Sequence, residues 1–193
     1  PADALVVDVE GFRKVISSAL EFTAADRRIV TVGICPTRPE TGYGYIEIAG
    51  QAGNDVTAEL DAVPLKVDSF REKPAIEVAR EYLAAGNYLW NAGIFVWNVD
   101  TIVESIRAFV PDLAAKMDTM SESFYTPDER VTVGKIFPTC EKISIDYAVM
   151  EKADYIYTIP GDFGWSDVGT WGSLWTLLNH DEDGNAVVGE NVH

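Results

Sequence analysis

Apolar positions recur at two spacings along the chain, and their alternation predicts strands interleaved with helices. Phe12, Val15, Ile16, Ala19 and Leu20 follow the i, i+3, i+4, i+7, i+8 spacing of a helix with one apolar face. The run Ile29 to Ile34 predicts a short buried strand closed by Pro36, and Tyr43 to Ile48 predicts a second. Val63, Leu65 and Val67 alternate with other residues in a third. Pro74 opens a helix carrying Ile76, Ala79 and Leu83, with Gly86 as its C-cap. Ile94-Phe95-Val96-Trp97 reads as a fully buried strand, preceded by a loop at Trp90-Asn91-Ala92-Gly93. Thr101 and Glu104 have the spacing of a capping box for a helix that turns Ile102, Ile106 and Phe109 inward. Pro111 ends it, and another helix uses Leu113, Met117 and Met120. Residues 121–135 are polar and read as irregular. Ile145 to Met150 reads as helix, Tyr155 to Ile159 as strand and Gly169 to Leu178 as helix. From Asn179 the chain turns acidic and polar, as a linker would. Strands alternating with helices imply an α/β layer fold, which holds ligands beyond the carboxyl ends of its strands.

Composition narrows the function. The 193 residues, 47% hydrophobic and 24% charged, suit one globular domain with a sizeable core. No apolar run approaches the roughly 20 residues of a membrane span. A net charge of −16 argues against nucleic acid as a partner. It does not exclude a small anionic substrate, because a bound divalent cation reverses the local field. Cys35 and Cys140 form no CxxC pair and read as reduced, buried thiols of a cytoplasmic protein. His180 and His193, the only histidines, lie near the C-terminal end, which argues against a His base or a His-rich zinc site. A chain that starts at Pro1 reads as a fragment.

Five stretches carry residues suited to chemistry. Asp3 precedes the apolar run Leu5-Val6-Val7, and Pro39 to Tyr45 is a Gly-Tyr loop entering a strand. Arg71-Glu72-Lys73-Pro74 joins a strand to a helix, and Trp90 to Gly93 precedes a strand. The fifth stretch, Gly161 to Trp171, holds Asp167 among glycines and tryptophans, a placement suited to a hard cation such as Mg²⁺. Each has a plainer reading. Gly42 and Gly44 could serve turn dihedrals alone, Glu72-Lys73 could be a solvated surface pair, Asn91 a turn residue and Asp3 an N-cap. The tryptophans could simply pack in the core. Together, however, Asp3, Gly44, Glu72, Lys73, Asn91 and Asp167 supply what a sugar phosphate and a divalent metal require.

The motifs Pro39-Glu40-Thr41-Gly42-Tyr43-Gly44-Tyr45-Ile46, Phe70-Arg71-Glu72-Lys73-Pro74, Trp90-Asn91-Ala92-Gly93-Ile94-Phe95 and Phe163 to Trp171 resemble the sugar-nucleotidyltransferases. Within that family they are most similar to the mannose-1-phosphate guanylyltransferase branch, and Ser144 to Glu151 fits the same pattern. The resemblance implies a Rossmann-like, glycosyltransferase-A-like mixed sheet flanked by helices, here only its C-terminal portion. It implies transfer of GMP from GTP to mannose 1-phosphate, giving GDP-mannose and pyrophosphate with Mg²⁺ as cofactor. By resemblance, Asp3 and Asp167 would be the metal ligands. Tyr43, Gly44, Glu72, Asn91 and Gly93 would bind the sugar, and Lys73 its phosphate. Lys73, Asp3 and Asp167 would carry catalysis through charge neutralisation. Asp146, although within a family motif, reads as a helix cap.

Two departures stand out. Ala4 occupies a position where the family commonly has His, and the family's Gly-rich, Arg-containing triphosphate loop is absent. No GxxxxGK[ST] or GxGxxG stretch replaces it. Residues 1–178 are therefore expected to be the sugar-phosphate-binding half, inactive alone, and residues 179–193 a linker towards a missing C-terminal module. A sheet without its first strands would expose edges and favour association. The sequence leaves open the oligomeric state, a homodimer included. Alternatives are a nucleotidyltransferase for another sugar 1-phosphate, or a carbohydrate-binding module using the five tryptophans, of which Trp97 and Trp175 look like core. A glycosidase pairing Asp162 with Asp167 ranks last.

Overall fold

The computed structural model describes residues 4–50, 62–169 and 171–189. Asp3 and Thr170 lie outside the described residues. The chain runs β1 (Ala4–Leu5), α1 (Val9–Ala25), β2 (Ile29–Ile34), β3 (Tyr45–Ile48), β4 (Leu65–Arg71), α2 (Ile76–Ala85) and β5 (Tyr88–Trp97). It continues through α3 (Val99–Phe109), α4 (Pro111–Ser121), α5 (Glu129–Ile136) and a 3₁₀ turn at Phe137–Thr139. A π-helix at Asp146–Met150, β6 (Ile156–Pro160), β7 (Ser166–Asp167) and α6 (Trp171–Leu177) complete it. Residues 179–189 contain neither helix nor strand. No described helix is long and apolar enough to cross a membrane.

The sheet is mixed, as expected. β2 runs parallel to β6, while its other neighbour, β5, is antiparallel. β3 pairs antiparallel with β5 and β4, and β4 meets β6. The ladder thus closes in the order β2-β5-β3-β4-β6. None of these five strands is an open edge, contrary to the exposed edges anticipated from the sequence, because β5 is long enough to pair with β2 and β3 in succession.

Alternation along β2 divides the core. Val30 and Val32 face Val15 and Ala19 of α1. Ile29 faces the opposite layer, where Ile102 and Ile106 of α3 and Ala148 to Met150 of the π-helix pack. In α1 the buried positions Val15, Ala19 and Thr23 recur every four residues, the apolar stripe seen in the sequence. Gly86 caps α2 in the left-handed conformation, at φ 77°.

Several expectations change. Trp90 to Gly93 lies inside β5 rather than in a loop before it, since a bulge absorbs the polar Asn91 without ending the ladder. Ile94 to Trp97 is half-buried, not fully buried. The start of α3 is capped by Asn98, whose side chain accepts from Thr101 N at 2.7 Å. The proposed capping box fails because Thr101 is already inside the helix, only 2% exposed, while Glu104 reaches outward to Arg27. The stretch 121–135 contains most of α5, a helix with no buried residue and therefore no apolar stripe to betray it. Trp97 packs against the core, but Trp175 is 48% exposed. Neither cysteine is in a disulfide, and both are only partly buried.

Candidate functional site

A cavity of about 390 Å³ collects Tyr43, Gly44, Glu72, Lys73, Asn91, Gly93 and Asp167 on its wall. These are all the expected site residues except Asp3, which lies outside the described residues. Ala4 also lines the cavity and pairs with Asp167 across the β1·β7 ladder. Asp162 is exposed and is not on this wall, so the two carboxylates of the glycosidase reading are not brought together here.

Glu72 and Lys73 follow directly on the end of β4. They are not a solvated pair: the Glu72 side chain is 11% exposed, against 60% for Lys73. Lys73 Nζ stands 3.5 Å from Glu72 Oε1, while the Glu72 amide donates to Glu151 Oε1 at 3.1 Å. Burial pushes the Glu72 carboxyl above its ordinary value, and the Asp146 charge adds to that, against the pull of Lys73. The backbone at Lys73 is left-handed, φ 47°, which costs a non-glycine residue about 1 kcal/mol or more. Glycine at position 44 leaves room for close approach, since a Cβ there would fall 2.6 Å from Glu72 Oε2 and 3.3 Å from Asn91 Cβ.

Three hydrogen bonds among the described residues hold the Asn91 side chain. Gly93, at φ 68°, makes the bulge in β5 and turns its amide back onto Asn91 Oδ1 at 3.1 Å. Thr31 Oγ1 donates to the same oxygen at 2.8 Å. Asn91 Nδ2 donates to Asp146 Oδ1 at 3.2 Å. Asp146 is therefore not the helix cap anticipated from the sequence. Ile145 holds the cap position, and Asp146 opens the π-helix and lines the cavity. The five-residue closure, Glu151 N to Asp146 O at 3.0 Å, turns Asp146 towards Asn91 and leaves Glu151 beside Glu72. Asp146 is the residue that the sequence reading missed. Its position in Ser144 to Glu151, a motif with no other task, was the available signal.

The remaining wall is aromatic and acidic. Tyr43 stands edge-on to Trp90 at 5.3 Å and to Trp165 at 5.4 Å. Burial, followed by the Asp167 charge, raises the Tyr43 phenol above its ordinary value, so it stays a neutral hydrogen-bonding group. Asp167 is fixed by Gly169 N, which donates to its Oδ1 at 3.0 Å. Tyr43 and Asp167 also border a second cavity of about 590 Å³ with Arg38 and Thr176, and thus divide two spaces. Among the described residues no three His, Cys, Asp or Glu side chains cluster to hold a metal. A cation at Asp167 would take much of its shell from ligand oxygens and water, which is how Mg²⁺ is commonly held at phosphates.

Comparison with known proteins agrees with this geometry. The sequence pattern of the nucleotidyl transferase family matches residues 1–184. The mannose-1-phosphate guanylyltransferase ManC of Salmonella typhimurium (strain LT2) is 38% identical over 192 residues, 99% of this chain and 39% of that protein. The mannose-1-phosphate guanylyltransferase of Escherichia coli (strain K12) is 35% identical over 196 residues, 100% of this chain and 39% of that protein. The chain thus spans about two fifths of the length of these relatives. A crystal structure of a Thermus thermophilus protein, named a mannose-1-phosphate geranyltransferase, superposes with a TM-score of 0.77 at 34% identity. That superposition covers 98% of this chain and 51% of the other. A match through residues 1–184, on a mixed sheet shared with a solved relative, places this chain in the nucleotidyl transferase family.

Proposed function

We propose that the cavity binds mannose 1-phosphate for the transfer of GMP from GTP, giving GDP-mannose and pyrophosphate. The observation that carries this is the convergence of Glu72, Lys73, Asn91 and Asp167 on one wall. The names of the relatives support the choice of sugar and base. On this reading residues 1–178 are the sugar-phosphate-binding half and the segment from 179 is a linker.

Glu72 and Asp146 accept hydrogen bonds from sugar hydroxyls, while Asn91 donates one. The backbone at Gly44 lets the ring approach Glu72, and Tyr43 with Trp165 excludes water from one side. Lys73, more exposed than its partner, meets the sugar phosphate. Asp167, with Asp3, would hold Mg²⁺, which when bound neutralises phosphate charge. The attacking phosphate oxygen is already an anion, so none of these residues has to remove a proton. Their work is orientation and charge compensation. Two cysteines not joined by a disulfide are in keeping with a reducing compartment, the cytoplasm.

The test is calorimetric titration of this chain with mannose 1-phosphate in Mg²⁺, together with pyrophosphate release from GTP by the full-length protein. Saturable binding, and release that fails with glucose 1-phosphate and with ATP, are expected. Release with a different sugar phosphate would change the substrate and keep the chemistry. No binding of any sugar phosphate would overturn the reading.

A further inference from the structure

The polar contacts beneath the cavity wall reach further than the wall itself. Thr31 lies in β2, fully buried at 0% exposure, and does not line the cavity. It projects to the same side of the sheet as Ile29, towards Asn91. The carboxamide orientation of Asn91 follows from chemistry. The Gly93 amide can only donate, so the atom 3.1 Å from it is oxygen. The opposite atom, 3.2 Å from an Asp146 carboxylate oxygen, is then the nitrogen. The Thr31 hydroxyl must therefore give its proton to Asn91 Oδ1 at 2.8 Å, its alternative acceptor being Ile94 O at 3.4 Å. With Oδ1 taking two protons and Nδ2 giving one, a single N–H of Asn91 is left without a partner among the described residues.

We propose that Thr31 is a positioning residue of the sugar site: its buried hydroxyl locks the Asn91 carboxamide so that one N–H faces the sugar. This rests on the proposed binding of a sugar phosphate. Without the hydroxyl, Asn91 keeps only the Gly93 amide on its oxygen, and the side chain can rotate away from the cavity. Thr158 supplies a control. It pairs with Thr31 across β2·β6, is equally buried, and its hydroxyl has no partner among the described residues.

The test is side-chain amide NMR of the ¹⁵N-labelled chain, with Asn91 assigned through Asn91→Asp, followed by titration with mannose 1-phosphate. In the wild type the Thr31 hydroxyl proton should be protected from exchange, a reading that needs no variant. Thr31→Val keeps the shape and should shift the Asn91 amide resonances, speed their exchange and weaken the sugar phosphate about fivefold. Thr31→Ser should restore both, and Thr158→Val should disturb neither. Unchanged Asn91 resonances in Thr31→Val, or an unprotected Thr31 hydroxyl, would overturn the proposal. If the wild type binds no sugar phosphate, the functional reading fails, while the Asn91 resonances still decide the role of Thr31.

Discussion

Glu72 shows a residue kept in an environment that does not suit its charge. Its folded-state pKa is raised by burial and by Asp146, so the ionised form is disfavoured in the fold. The favourable contribution of such a group is complete below the unfolded value of 4.5 and is lost as pH rises through the folded one. Glu72→Gln is therefore expected to melt no lower than the wild type at pH 7, and this relative gain should vanish below about pH 4. In the same variant, mannose 1-phosphate should bind about tenfold to a hundredfold more weakly, because an acceptor with full charge is lost. Thermal melts across pH, paired with calorimetry, check both halves. A melting point that drops at pH 7 would make Glu72 a structural residue. The sequence named Glu72 through its motif, but it could not show that Glu72 is buried and Lys73 is not. Nor could it show that Glu151, 79 residues away, accepts from the Glu72 amide.

Among the elements, those with an apolar stripe were legible and those without were not. β2 fell at Ile29–Ile34 as read, and α1 only extended beyond the periodic residues. α5 lacks a buried side and was missed. The bulge in β5 and the π-helix are departures from regular hydrogen bonding, which periodicity cannot encode, and they are the two features that aim Asn91 and Asp146. The cap of α3 was misplaced by three residues for a related reason. Asn98 is chosen by tertiary contacts as well as local ones, because its Nδ2 also donates to Thr23 O at 3.2 Å and so joins α3 to the end of α1. Asn98→Ala should cost about 2 kcal/mol, lowering the melting midpoint by about 4–8 °C. Sugar-phosphate affinity should stay unchanged, since α3 does not line the cavity. Urea denaturation and a binding titration on the same sample measure the two.

For the molecule as a whole, the cavity is a joint between segments that the ladder brings together. Tyr43, Glu72, Asn91, Asp146 and Asp167 stand on five separate stretches of chain. A ligand that bridges them binds only the folded state. At a concentration about a hundredfold above its dissociation constant, mannose 1-phosphate should therefore raise the melting midpoint by about 5–10 °C. Differential scanning fluorimetry with and without ligand reads this directly, and no shift at saturation would mean that binding does not span these segments. The pairing of Ala4 with Asp167 sets a further condition, one of timing. Ribosomes extend a chain from its N-terminus, so the Asp167 wall is among the last parts of this stretch to be made. Until it emerges, β1 has no partner strand and the cavity lacks its acidic side, however well α1 and β2 have already packed. A nascent chain stalled short of Asp167 has only part of this cavity, so no ligand that bridges it can help, and the chain must rely on its own core to avoid misfolding.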